Sequence, residues 1–139
     1  MTSERDDFVN SDLEVIKAHY AASDRGDLPG MLAPLAADVA WTEMAGFPYA
    51  GTYIGPESVR DNVFGRLAAE WDDYTATVAE VIGLGGGVVI GIGAYSGTFR
   101  ATGNAMSARF VHVWRLAAGR VHQFEQFTDT ALVQTAMRP

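Results

Sequence analysis

The stretch "VVIGIGAYSGTFR" (Val88–Arg100) decides how the rest of the chain is read. Its side chains split by parity, as a strand's must. One set is Val89, Gly91, Gly93, Tyr95, Gly97 and Phe99; the other is Val88, Ile90, Ile92, Ala94, Ser96 and Thr98. Glycine loosens a strand, so a face carrying three of them implies either sharp sheet curvature or room above the sheet for another group.

Working outward, the same texture continues on either side. "TATVAEVIGL" (Thr75–Leu84), "AMSARFVHVWRL" (Ala105–Leu116) and "RVHQFEQFT" (Arg120–Thr128) are β-branched or aromatic runs. They are separated by "GGG", "ATGN" and "AAG", turns in which glycine supplies positive φ. This predicts an antiparallel meander. The first half reads as helical. Ser11 and Glu14 form a capping box, followed by Leu13, Ile16 and Tyr20 at helical spacing until Gly26. "LPGMLAPLA" (Leu28–Ala36) is a short proline-bounded helical piece, and "DVAWTEM" (Asp38–Met44) switches to a strand pattern before the loop "AGFPYAGTYIG" (Ala45–Gly55). Pro56 opens a third helix in which Val59, Val63, Leu67 and Trp71 recur every four residues, and Asp129 caps a last short helix, "TALVQTAM". The order is α+β, with helices packed on one face of a curved antiparallel sheet, in a single domain spanning residues 1–139.

Composition excludes several functions. A formal charge of −7 with one lysine, Lys17, leaves no basic face for a nucleic acid. No apolar run approaches a membrane span, and no membrane partner is expected. The absence of cysteine removes disulfides and thiolate metal sites, while the acidic opening "MTSERDDFVNSD" lacks the features of a signal peptide, so a cytoplasmic protein is expected. His19, His112 and His122 show no metal-ligand spacing, and "GLGGGV" fails the dinucleotide-binding pattern. No metal or cofactor is expected.

The chain resembles the nuclear transport factor 2-like superfamily, and within it the SnoaL-like and ketosteroid-isomerase-like proteins. The resemblance runs through "HYAASDRGDLPGMLAPLAADVAWTE", "GPESVRDNVFGRL", "HVWRLAAGRV" and "QFTDTALV". It implies a cone of bent sheet and helices (a cystatin-like roll), commonly dimeric, with a small apolar ligand inside. Aligned on Gly26 and Asp27, Glu43 falls where the isomerases carry their general base. His19 and Val111 fall at their two oxyanion-hole positions, and the isomerase pair is not reproduced. Gln126 stands where the SnoaL-type cyclases place an aspartate. Gly93 and Tyr95 stand where the related epoxide hydrolases place an arginine and a second aspartate.

The candidate site that emerges is Glu43 as base and His19 as donor or acid. Tyr20, Trp41, Tyr95, Val111, Phe124 and Gln126 would contact the substrate. A carboxylate enclosed by aromatics loses hydration, and its pKa rises toward neutrality. A second pair comes from the hairpin: if Ala118 and Gly119 form a two-residue turn, His112 faces Glu125 and Val111 faces Gln126. That pair reads as structural or interfacial. Two functions fit: a cofactor-independent isomerase, cyclase or dehydratase acting on a small hydrophobic molecule, or a non-catalytic binding or dimerisation module. A homodimer is expected through the sheet face holding Phe110 and Trp114 or through the opposite face.

Overall fold

A computed structural model describes residues 4–139; Met1–Ser3, part of the acidic opening discussed above, lie outside the described residues. Helix α1 (Glu4–Asp24) is followed by α2 (Leu28–Leu32), β1 (Leu35–Glu43) and β2 (Gly51–Ile54). A second helical stretch runs as α3 (Pro56–Val59), a π turn (Arg60–Phe64) and α4 (Gly65–Glu70). The chain then forms β3 (Trp71–Gly85), β4 (Val88–Phe99), β5 (Ala105–Ala117), β6 (Arg120–Thr128) and α5 (Thr130–Met137).

Strands β3 to β6 form the expected antiparallel meander, but the sheet as a whole is mixed. Its order is β2-β1-β6-β5-β4-β3, and β1 joins β6 in parallel. Chain reversal through α1 and α2 delivers β1 to the free edge of β6 in that direction. β2 then pairs antiparallel with β1, placing Tyr53 opposite Trp41 within what reads from sequence as a loop. The sheet curves without closing, and the helices lie on its concave side, in the cone shape of this fold.

Helix α1 begins ahead of the Ser11 capping box, so Ser11 and Glu14 sit inside the helix and cap nothing. Val9 and Leu13, one turn apart, explain the extension: both meet β3 at Gly83, where a Cβ would collide with Val9. Gly26, at φ +69°, ends the segment as expected. Asp27 then caps α2 through the Gly30 N–H, and Asp129 caps α5 through the Leu132 N–H. The Val59-Val63-Leu67 stripe faces inward across the π turn, whose wider winding suits a four-residue repeat. Trp71, expected to end that helix, instead starts β3.

The glycine face of β4 serves both purposes raised by the sequence. At Gly91 a side chain would run into the Tyr20 hydroxyl, so this glycine admits a helix residue to the sheet surface. At Gly93 a side chain would strike the Thr77 carbonyl and the Phe110 ring, next to the register shift between Val78 and Glu80. That shift bends β3 over β4. The concave face is filled at one end by Ile16, Val39, Trp41, Trp114 and Phe124 under α1 and α3–α4. At the other end, α5 and the 44–50 loop cover Phe110 and Tyr95 with Val133, Phe47 and Tyr49. Between the two clusters the packing leaves a hole.

Candidate active site: a buried carboxylate beside a tyrosine–histidine chain

The hole is a cavity of about 550 Å³. That is within the range of small-molecule sites. Strand β1 contributes Trp41 and Glu43, which alternate onto one side of the strand. Trp41 stacks on Phe124 with ring centroids 3.7 Å apart and donates from Nε1 to Glu43 Oε1 at 2.9 Å. Glu43 is only 4% exposed, and its second oxygen, Oε2, has no protein partner. Burial pushes its pKa from 4.5 up to about 7, with the Trp41 N–H pulling the other way. Glu43 therefore lies inside the cavity as an acid poised at neutrality.

His19 lines the same cavity from α1. Its Nδ1 lies 2.9 Å from the Met31 carbonyl, which can only accept, so Nδ1 carries the hydrogen and Nε2 offers a lone pair. Burial lowers its pKa to about 4, against the raising effect of that carbonyl. The expected donor or acid is thus a neutral ring whose free nitrogen is an acceptor. Its ring packs edge-on against Trp114 at 4.7 Å.

The cavity lining includes a hydrogen-bonded chain. Trp114 Nε1 donates to the Tyr20 hydroxyl at 3.0 Å, and that hydroxyl lies 2.8 Å from His112 Nδ1. His112 Nε2 lies 2.6 Å from the Tyr95 hydroxyl, to which Gln126 Nε2 donates at 3.1 Å. Burial, reinforced by His19, holds the His112 pKa well below its ordinary value. Burial raises both tyrosines far above theirs, so the chain is neutral at pH 7. The Tyr74 hydroxyl and Gln126 Oε1 are also buried without a protein partner. Burial first, then the Glu43 charge, keeps Tyr74 protonated.

Of the residues expected from sequence, Glu43, His19, Tyr20, Trp41, Tyr95, Phe124 and Gln126 line the cavity. Val111 does not. It is half-buried on the opposite face of β5, and His112, expected to pair with Glu125, takes the cavity side. The turn itself forms as expected, with Ala117 opposite Arg120 and positive φ at Ala118 and Gly119. A bulge between Arg115 and Leu116 then advances the register by one, which sets His112 against Gln126 and Val111 against Phe127. A one-residue slip exchanges the two faces. The signal was present in β6: His122 and Gln123, two polar residues in a row between buried Val121 and Phe124, break the period of two. Trp114 and Phe110 are likewise buried inside, so the outward face carries Ile82, Ile90, Ile92, Val111, Val113 and Phe127 among charged neighbours such as Glu80 and Glu125. The loop aromatics Phe47 and Tyr49 pack with Val133 of α5 and with Trp71 and Tyr95. Among the described residues no cluster of metal-ligating side chains occurs, and no helix is long and apolar enough to cross a membrane.

Comparison with known proteins agrees with this architecture. A nuclear transport factor 2-like protein from Burkholderia thailandensis is 50% identical, with a TM-score of 0.90 over 92% of this chain and 98% of its own. A second, of unknown function from Burkholderia pseudomallei, is 30% identical, with a TM-score of 0.84 over 93% and 98%. TerC, co-crystallised with polyporic acid, shares the fold at 24% identity, with a TM-score of 0.79 over 91% and 98%. No protein of curated function matches the chain. The SnoaL-like domain pattern matches residues 16–124, so the chain belongs to the SnoaL-like family of the nuclear transport factor 2-like superfamily.

Proposed function

We propose that the protein binds a small, largely hydrophobic molecule in this cavity and transfers a proton on it without a cofactor, with Glu43 as the base. The reaction class is isomerisation, cyclisation or dehydration next to a carbonyl group. One observation carries this reading: a carboxylate oxygen with no protein partner, in an aromatic-walled cavity, on a residue whose pKa lies near 7. Trp41 holds Oε1 and leaves Oε2 for the substrate. The test is α-proton exchange in D2O, followed by proton NMR over a panel of cyclic ketones and enones. Exchange accelerated by the protein, and reduced on the order of 100-fold by Glu43→Gln, is expected. No acceleration on any member of the panel, or equal rates in the variant, overturns it.

A second reading, a ligand-binding module without chemistry, has its own support. The two positions where the isomerases hold their oxyanion are occupied here by a neutral histidine with an acceptor nitrogen and by Val111, which faces away. For assembly we propose a homodimer formed by the outward sheet face. Phe127 is 45% exposed there, beside Val111, Ile92 and Ile90. A monomer does not commonly leave such a patch in water.

A further inference from the structure

We infer that the Tyr20–His112–Tyr95–Gln126 chain is a donor site for one acceptor oxygen of the ligand, a carbonyl or enol oxygen, in the same cavity as Glu43. The inference deepens the reading above, since it rests on the cavity holding a ligand. It comes from the supply of hydrogens. Four contacts link the chain: Trp114 to Tyr20, Tyr20 to His112, His112 to Tyr95, and Tyr95 to Gln126. Five hydrogens are available for them: the Trp114 N–H, two phenol O–H groups, the single N–H of a neutral imidazole, and the Gln126 amide hydrogen aimed at Tyr95. One donor is always left over.

Its position depends on the tautomer, but its destination does not. If Tyr20 donates to Nδ1, then the Nε2 hydrogen and the Gln126 amide both go to the Tyr95 oxygen, and the Tyr95 hydrogen is free. In the other tautomer the Tyr20 hydrogen is free. Turning the Gln126 amide end for end lets Tyr95 donate to its carbonyl oxygen, and the free donor becomes the amide NH2. Tyr20, Tyr95 and Gln126 all line the cavity. A buried donor without an acceptor costs free energy comparable to a lost hydrogen bond. The protein holds this one in place because His112 is fixed at both nitrogens, so a ligand oxygen arriving there meets a donor already oriented. With Glu43 Oε2 as the matching free acceptor, the cavity asks for a molecule with an oxygen acceptor at one point and an acidic hydrogen at another.

The experiment uses 2-acetonaphthone, labelled with 13C at the carbonyl, and 2-ethylnaphthalene, which has nearly the same shape without the oxygen. Affinities are read by quenching of tryptophan fluorescence, and the carbonyl stretch of the bound ketone by isotope-edited infrared spectroscopy. The ketone is expected to bind about 10-fold more tightly, with its band shifted below its position in hexane, as one hydrogen bond to an unsatisfied donor requires. The triple variant Tyr20→Phe, Tyr95→Phe, Gln126→Leu leaves only an imidazole recessed behind the vacated hydroxyls, and should bring the preference toward 1 and the band toward its hexane position. Phe127→Arg, on the outward sheet face, should keep both. Equal affinities in the wild-type protein with an unshifted carbonyl overturn the donor site and leave the cavity reading standing. Failure of both compounds to bind overturns the two together. Because the wild-type band alone decides the matter, the inference can be refuted even if the triple variant does not fold.

Discussion

Replacing Glu43 by glutamine removes the ionisable group whose pKa is most displaced toward neutrality, and the consequence for stability can be worked out. Glutamine keeps the shape and keeps an oxygen for the Trp41 N–H. The wild-type carboxyl has a pKa of about 7 when folded and 4.5 when free. Its folded value is the higher one, so the folded protein holds the proton more tightly. Its contribution is therefore complete below 4.5 and is lost as pH rises through 7. At about 1.4 kcal/mol per pH unit, the wild type should lose about 2.5 kcal/mol relative to Glu43→Gln between pH 5 and pH 8.5. The assay is urea unfolding at half-unit pH steps, followed by tryptophan fluorescence. The quantity of interest is the difference between the two proteins, in which the histidines common to both cancel. A difference that stays constant across that range would show Glu43 titrating as an ordinary surface acid, and would remove the basis for its role as base.

Further outcomes follow from the same geometry. His19 and His112 are neutral in the fold, with pKa values below the ordinary 6.5, so the Glu43→Gln protein should lose stability as pH falls from 6.5 toward 4; a flat urea midpoint there refutes it. Gly91→Ala should cost about 1–3 kcal/mol in urea unfolding, because its methyl meets the Tyr20 hydroxyl; an unchanged midpoint would mean that Tyr20 does not rest on β4. Phe127→Arg should shift sedimentation from dimer to monomer at micromolar concentration while leaving the ketone affinity within about 2-fold, and a wild type that is already monomeric refutes the assembly. Once a substrate is known, its rate should rise with pH through about 7 and then level off, since the base must be deprotonated; a rate falling over the same range would exclude Glu43 as base.

What could be read from the sequence follows the short-range patterns. Trp41 and Glu43 are two residues apart in a strand, so their shared side is fixed by the pleat, and Tyr20 follows from helical spacing. The repeated glycines of β4 pointed to curvature and to a visitor, and Gly93 and Gly91 supply one each. Readings failed where a local rule met a non-local one. Extrapolating the hairpin register past Leu116 assumed an unbroken ladder, and one extra residue in β6, at His122, put Phe124 and Gln126 on the face of His112 instead of that of Val111. Partner choice is non-local too: nothing within β1 states that it lies parallel to β6, because that depends on where α1 and α2 deliver the chain. The capping box at Ser11 met every local criterion, yet Val9 and Leu13 packing on Gly83 continue the helix through it.

The misplaced residue also changes the chemistry that the cavity can perform. With Val111 on the cavity side, the Tyr20 and Tyr95 hydroxyls would have no imidazole between them. With His112 there instead, two tyrosines are tied to one imidazole, all of them neutral because burial disfavours each charged form. A neutral chain of this kind can shift its hydrogens without separating charge, so it can meet an incipient negative oxygen with an O–H donor while Glu43 takes the proton. Only one group in the cavity then changes charge near pH 7. The extra residue at His122, far from Glu43 in sequence, is what brings Gln126 to the face of β5 that carries His112.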